Sequence, residues 1–382
     1  MSISVREALR LECFKGVRFI AGEAGFDRLI TRVSVLESPD LDDFGTAMGK
    51  GDFYISSFYA IKDDPKAQLD TLKILVNTNS SGLCLIDLYM DDLCRDVKEY
   101  ANKETYPIVM ISNFVPYAAV ITEIMDAIIK HKEDTITEMT IRSLLQPNVT
   151  GQEVCDTAKR INNKFRDNIG ALYLKADSED KEGIEALKHS HRDKEHWSFL
   201  KYEGGILIIM SFGKASKERI HIQLKQVTES VDYYLDNYGL GISRFHKGLD
   251  NLNTCVREAL LSYEVCEGRS ERKVYYNDLG VYRLLMLLKD EPELKRYHDE
   301  IMIPLADYDA KNGTSLVNTA ISYIDNDGNL AKTAANLYQH QNTIRYRLNK
   351  VREILDMKER GVSFYEKISI AVKINKIMKE RL

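Results

Sequence analysis

Nowhere in the 382 residues is there a run of 18 apolar side chains, so no membrane span is expected. The opening stretch, MSISVREALRLECFKG, carries a charge every few residues and has no apolar core of the secretory kind, so a cytoplasmic protein is expected. Cysteine is scarce. The six, Cys13, Cys84, Cys94, Cys155, Cys255 and Cys266, are scattered with no CxxC pair, which favours reduced, packed thiols over disulfides or a metal site. No Lys-Ser/Thr follows Gly22-Glu23-Ala24-Gly25, so this is a turn and not a phosphate loop. His189, His191 and His196 stand among lysines and arginines that repel a cation; a solvated loop is expected there, and no metal. No Ser/His/Asp or Cys/His set stands out and no cofactor is implied, although triads assemble in space and not in sequence. Neither an internal repeat nor a low-complexity tract is present.

What is present is a globular composition, 44% hydrophobic and 29% charged. The length suggests about two to four domains. The net charge of −5 excludes a protein that coats nucleic acid over its whole surface. The charge is unevenly spread. Gly328 to Leu382 holds 12 basic and 5 acidic residues, a charge of +7, which leaves −12 for the rest. A basic module on an acidic body fits a regulator with one DNA-binding end; a helical tail with a solvated lysine face fits the charge as well.

The first ~115 residues alternate short apolar runs with helical patterns, as α/β domains do. Strands are expected at Val33–Glu37, Phe53–Ser56, Leu83–Asp87 and Ile108–Ser112, with helices over Pro65–Val76 and Asp91–Asn102. From Pro116 to Pro147 helical apolar spacing continues unbroken, as one long helix or two end to end, reaching roughly 45 Å. It reads equally as a connector with a dimer contact or as an ordinary domain-edge helix. A β-α-β-β-α-β-like order follows. Its strands are expected at Ala171–Ala176, Trp197–Tyr202, Ile206–Phe212, Gly239–Phe245 and Lys273–Asn277, and its helices over Ser216–Asn237 and Leu252–Cys266. Gly204-Gly205 marks a hairpin. The Tyr233-Tyr234 and Tyr275-Tyr276 pairs read as half-buried packing. Beyond Leu279 the pattern is helical throughout.

The most informative stretch is Ser315 to Leu355. Leu316, Ala320, Tyr323 and Ile324 form the stripe of a first helix, ended by Asp325-Asn326-Asp327-Gly328 with Gly328 suited to the left-handed C′ position. Asn329 suits the N-cap of a second helix, Leu330–Leu337, whose Ala331, Ala334 and Ala335 allow a close crossing. After a break at Tyr338-Gln339-His340, a third helix buries Ile344, Leu348, Val351 and Leu355. Its polar side starts with the amide and guanidinium groups that read a major groove: Gln and Asn pair with adenine edges, Arg with guanine or phosphate. His340, Gln341, Asn342, Thr343 and Arg345 are the candidates for base or nearby phosphate contact, with Tyr346 and Asn349 beside them. Lys332, Arg347, Lys350 and Arg352 are the candidates for neutralising phosphates. The alternative is a three-helix packing motif that touches no DNA.

The run from Asn329 to Leu348, with its TA..L..H.NT.RYRL pattern, closely resembles the C-terminal helix-turn-helix of the PucR/CdaR family of bacterial transcription regulators, and is similar to that of Fis-type proteins. Residues 1 to about 130 resemble the family's N-terminal sensor domain through Val5-Arg6-Glu7-Ala8-Leu9, Gly22 to Arg28, Val33 to Glu37, Pro39-Asp40 and Gly51-Asp52. Residues from about 165 to 280 resemble its degenerate GGDEF-like domain. There the hairpin Glu203-Gly204-Gly205-Ile206-Leu207 has apolar residues where an active cyclase needs carboxylates for two metals, and Asp177 lacks partners.

The resemblance implies a multidomain α/β plus all-α protein. Its parts are an α/β ligand-sensing domain (1–130), a helical linker (131–164), a ferredoxin-like or cyclase-like α+β middle domain (165–280) and a C-terminal helical bundle (281–382) with the helix-turn-helix at about 315–356. It implies a transcriptional regulator, not an enzyme, that binds a double-stranded DNA operator as a homodimer or higher homo-oligomer. It also implies control of catabolic genes for purines or related nitrogen compounds in response to a small-molecule effector. Because α/β sheets bind ligands at the carboxyl ends of their strands, the candidate effector contacts are Glu37, Ser38, Asp40, Ser56, Ser57 and Asp87. Two other readings stay open: a nucleotide-handling enzyme centred on the middle domain, and a metabolite-binding protein whose C-terminal helices make only protein contacts.

Overall fold

The computed structural model describes residues 2–37, 49–177, 180–214, 217–269, 271–357 and 362–378. The chain divides into two compact units, Met1–Met139 and Thr140–Leu382. Among the described residues no helix is long and apolar enough to cross a membrane.

The first unit opens with β1 (Ile3–Ser4), α1 (Val5–Ala8), β2 (Arg18–Ala21), β3 (Leu29–Ile30) and β4 (Arg32–Val35). It continues with β5 (Asp52–Ser56), α2 (Pro65–Asn77), β6 (Gly82–Ile86), α3 (Arg95–Lys103), β7 (Ile108–Ile111) and α4 (Tyr117–Leu144). Strands β4 to β7 lie side by side in chain order, all parallel, and β2 closes the sheet antiparallel to β7. The strands read as continuous apolar runs because helices cover both faces. Phe53, Ile55, Cys84, Ile86, Val109 and Ile111 meet Val120, Ile124 and Ile128 of α4. The alternate residues Tyr54, Leu83, Leu85, Ile108 and Met110 meet Leu72 and Leu75 of α2 and Val97 and Ala101 of α3. Pro65 sits in the first turn of α2, and the Asp64 carboxylate accepts from the amides of Lys66 and Ala67. The apolar repeat after Pro116 is one helix, not two. Strand β2 escaped the sequence pattern because it has four residues, the first two of them exposed.

The second unit begins with α5 (Gly151–Ile161), β8 (Asn168–Ala176), α6 (Lys181–Ser190), β9 (Trp197–Tyr202), β10 (Gly205–Phe212) and α7 (Lys217–Tyr234). Then come β11 (Tyr238–Ile242), β12 (His246–Lys247), α8 (Leu252–Arg269) and β13 (Lys273–Tyr275). The sheet order is β13-β11-β8-β10-β9, with β12 paired to β8. On one face Ala171, Tyr173, Leu207 and Ile209 pack against Leu252, Val256 and Ala259 of α8 and Val154 and Ala158 of α5. Ile141 and Leu144 join that cluster, so this part of the 131–164 stretch, expected as a linker, is core. On the other face Leu172, Leu174, Ile208, Met210 and Leu240 pack against Leu224, Val227 and Val231 of α7.

Several expectations are corrected in this sheet. The hairpin turns on Glu203 and Gly204, both at positive φ, while Gly205 lies in the ladder opposite Tyr202. The histidine stretch is not a solvated loop: His189 lies in the last turn of α6, and buried His191 stacks on Trp197 with ring centres 5.6 Å apart. Tyr233 is exposed instead of half-buried. Glu258 of α8 is buried and holds the Arg244 guanidinium and backbone amide, with His246 Nε2 at 3.2 Å. Burial alone raises its carboxyl, but the bonds from Arg244 and His246 outweigh that and hold it low.

The rest of the second unit is helical: α9 (Tyr282–Leu287), α10 (Pro292–Asn312), α11 (Leu316–Asp325), α12 (Leu330–Asn336), α13 (Gln341–Ile354) and α14 (Val362–Met378). Ile301, Met302 and Leu305 of α10, Leu316, Ala320 and Ile324 of α11, and Ile368, Ala371 and Val372 of α14 surround the buried side of α13.

Gly241 shows how closely α8 crosses the sheet. A Cβ there would lie 2.1 Å from the Ala259 carbonyl oxygen and 2.3 Å from the Tyr263 amide nitrogen. Gly241→Ala is expected to destabilise the second unit by roughly 1–3 kcal/mol through overpacking. A urea titration should show a lower midpoint, whereas Gly204→Ala, whose Cβ meets only the end of Lys175, should cost no more than its left-handed φ demands.

Candidate nucleic-acid interface

Helix α11 starts without a capping bond from its own N-cap residue, Ser315. The Asp309 carboxylate of α10 serves instead, accepting from the amides of Leu316 (2.7 Å) and Val317 (2.9 Å). The helix ends in a Schellman arrangement: the Gly328 amide donates to Tyr323 O at 2.9 Å and the Asp327 amide to Ile324 O at 3.1 Å. The left-handed C′ residue is therefore Asp327 (φ 52°), not Gly328, which follows it at φ 76°. Asn329 caps α12, its side-chain oxygen accepting from the amides of Ala331 and Lys332. Of the small residues expected to allow a close crossing, only Ala334 is buried; Thr333 joins it, while Ala331 and Ala335 face solvent. Tyr338 turns the chain at φ 52° and is 94% exposed. His340 then caps α13, Nδ1 accepting from the Asn342 amide at 3.2 Å.

On α13 Ile344, Leu348 and Val351 are buried, and Leu355 follows as its half-buried C-cap. That stripe fixes the rotation of the helix. His340, Gln341, Asn342, Arg345, Tyr346 and Asn349 are exposed, and so is Lys332 on α12. Arg345 has no hydrogen bond or ion pair among the described residues. Thr343 is half-buried.

The remaining cations are less free than the sequence implied. Arg347 donates to Thr319 Oγ1 at 3.3 Å. Lys350 pairs with Glu353 at 2.9 Å and lies 5.4 Å from the centre of the Tyr308 ring. Arg352 donates to Asn349 Oδ1 and covers the Phe364 ring. These three tie α13 to its own domain, and Lys332 and Arg345 are the cations left open.

The candidate effector contacts lie at the carboxyl ends of β4, β5 and β6. Glu37 accepts from the Ser57 amide (2.8 Å), the Ser57 hydroxyl (2.7 Å) and the Tyr117 hydroxyl. Burial, then the Glu37 carboxylate, pushes the Tyr117 hydroxyl pKa up. Ser56 is buried, and its oxygen accepts from the Phe58 amide. Asp87 accepts from the Asn113 amide at 2.6 Å. Ser38 and Asp40 lie outside the described residues. The same edge carries an exposed aromatic pair, Tyr59 and Tyr89, with ring centres 4.6 Å apart and Lys62 Nζ within 5.6 Å of both. Sequence reasoning missed Tyr59, Tyr89, Lys62 and Tyr117; the signal was their position just past strands β5, β6 and β7. Elsewhere, among the described residues no group of three or more His, Cys, Asp or Glu side chains is placed to hold a metal ion.

With the geometry in place, comparisons with known proteins are decisive at both ends of the chain. Residues 7–128 match the Purine catabolism regulatory protein-like family, and residues 316–374 match the PucR C-terminal helix-turn-helix domain. Both ends of the chain thus match domains of the PucR family. Among its relatives in Bacillus subtilis (strain 168) is the proline-responsive transcriptional activator PutR, 24% identical over 243 residues, which are 59% of this chain and 58% of PutR. The purine catabolism regulatory protein is 19% identical over 137 residues, 36% of this chain and 25% of that protein. The DNA-binding transcriptional activator AdeR is 22% identical over 153 residues, 39% of this chain and 36% of AdeR. The alignments thus span less than two thirds of each relative. The matched C-terminal segment takes in α11, α12, α13 and most of α14.

The cap at Asn329 is exposed and makes only local bonds, so it isolates one term of the motif's stability. Asn329→Ala is expected to lower stability by about 1 kcal/mol, and Asn329→Ser to restore most of it; differential scanning calorimetry of the full chain measures both.

Proposed function

We propose that this chain is a PucR-family transcriptional regulator that binds a double-stranded operator through α12 and α13, under control of a small molecule sensed by the first unit. The observation that carries the reading is the start of α13: Gln341, Asn342 and Arg345 stand exposed on a capped helix end whose opposite face is buried. Gln and Asn offer paired donor and acceptor groups to adenine, and Arg345 offers a two-pronged donor to guanine. Lys332 approaches the phosphates from the neighbouring helix, while Arg347, Lys350 and Arg352 reach them only by releasing their present partners. The names of PutR and AdeR support transcriptional activation, and those of PutR and the purine catabolism regulator support a link to small nitrogen compounds.

The proposed division is a sensing domain over 1–130, a helical connection over 131–164, a middle domain over 165–280 and a helical DNA-binding domain over 281–382. The β9–β10 hairpin and the strand order support a ferredoxin-like or cyclase-like middle domain. Ile206 and Leu207 stand where cyclase carboxylates belong, so this domain transmits or dimerises and does not turn over nucleotides. The protein works in the cytoplasm as a homodimer or higher homo-oligomer, its paired helices meeting half-sites about one helical turn apart. The effector enters at the strand ends, where Glu37, Ser57 and Tyr117 form a polar anchor and Tyr59 and Tyr89 offer aromatic faces.

Two measurements test this. In titrations against a duplex from upstream of its own gene and a scrambled duplex, Arg345→Ala is expected to lose roughly 1–3 kcal/mol of discrimination. Lys332→Ala should weaken both duplexes alike and reduce the log–log salt slope by about 0.9. If Arg345→Ala keeps full operator preference in a folded protein, the reading face is misassigned. For the sensor, a thermal-shift screen of purines, ureides, sugar acids and amino acids should find one class that raises the melting temperature. At a concentration of 100 Kd the stabilisation is about 2.7 kcal/mol. Glu37→Gln should abolish that shift; if it leaves the shift intact, the pocket is elsewhere.

A further inference from the structure

Helix-turn-helix motifs commonly turn on a glycine, because the residue between the helices takes a left-handed conformation that disfavours any side chain with a Cβ. Here that residue is Tyr338, at φ 52° between α12 and α13. Burial does not explain it. Phe58, the other aromatic residue at positive φ among the described residues, is 4% exposed and belongs to the core of the first unit. Tyr338 is 94% exposed, and neither its ring nor its hydroxyl has a partner among the described residues. A large aromatic side chain therefore stands in a conformation better suited to glycine or asparagine and adds nothing to the packing of its own domain.

Its place narrows what it does. Tyr338 precedes the N-cap His340 by two residues, next to the exposed His340, Gln341 and Asn342. A ring projecting from that turn lies beside the helix end that enters the groove, where the sugar–phosphate strand runs. A tyrosine hydroxyl donates to phosphate oxygens, and its ring face covers deoxyribose. We infer that Tyr338 is a DNA-contacting residue that grips the backbone at the edge of the groove and sets the depth at which α13 docks. This rests on the DNA-binding reading above. Because the contact is to the backbone, it acts on all sequences alike; because tyrosine is neutral, it releases no counterion.

The test uses the full chain with Tyr338→Asn, and Tyr338→Gly as a second variant, since both residues accept the left-handed turn. The probes are the upstream and scrambled duplexes. Both variants are expected to bind both duplexes roughly tenfold more weakly, as loss of a hydrogen bond to a charged group implies. The operator preference and salt slope should stay unchanged, and the melting temperature should equal or exceed that of the parent chain. Relief of the turn raises or preserves stability, so a merely structural role predicts the opposite pattern. Unchanged affinity for both duplexes overturns the inference and leaves Tyr338 as a surface for a protein partner. A loss of affinity matched by a fall in melting temperature overturns it too. If the parent chain binds neither duplex, the DNA-binding reading itself fails, which the parent titration reveals separately.

Discussion

Burial of Ile344, Leu348 and Val351 is the constraint from which the interface follows. A helix turns about 100° per residue, so once three positions are pinned the direction of every other side chain is set. Ile324 of α11, Ala334 of α12 and Phe364 of α14 belong to the same cluster, which holds α13 by its inner side. The amide and guanidinium groups at its start are left facing out without any further device. The caps act on the same geometry from the ends: Asp309, Asn329 and His340 each satisfy amides that a helix start leaves open, so three short helices hold their positions with little length of their own.

The cations of α13 illustrate how tertiary contacts divide residues of one chemical type. Arg345 is exposed and has no hydrogen bond or ion pair among the described residues. Arg347, two positions on, points back toward α11 and meets Thr319. Lys350 and Arg352 use their stems and charges against Tyr308 and Phe364, as long amphipathic side chains do. A basic run in sequence is thus split into groups that stay exposed and groups that hold the domain together.

In the first unit the parallel sheet is covered on both faces, so its polar chemistry is pushed to the strand ends. Glu37, Ser57 and Tyr117 gather there because three different strands finish at one edge and α4 starts from it. In the second unit the same principle of burial works through a charge. Glu258 sits beneath Arg244 and His246, and the turn after β11 is held by bonds to a carboxylate that has left water.

Much of this was legible in the chain itself. The strands from Val33 to Ser112, the β9–β10 hairpin region, the long helix after Pro116 and the three helices from Leu316 to Ile354 all announce themselves by local periodicity and by residues with one conformational use. Asn329 at an N-cap is a local preference, and so is the apolar spacing of α13. What escaped depends on partners far away in sequence. The edge strand β2 exists because β7 offers it a ladder. His191 is buried because Trp197 lies across it, and Tyr117 meets Glu37 across 80 positions. Asp327 rather than Gly328 takes the C′ position because the ring of bonds back to Tyr323 and Ile324 counts residues from the true helix end, which periodicity places only to within a residue or two. Local preferences are written into each residue, whereas the choice among cations, and the company each polar group keeps, is made only when distant segments close over one another.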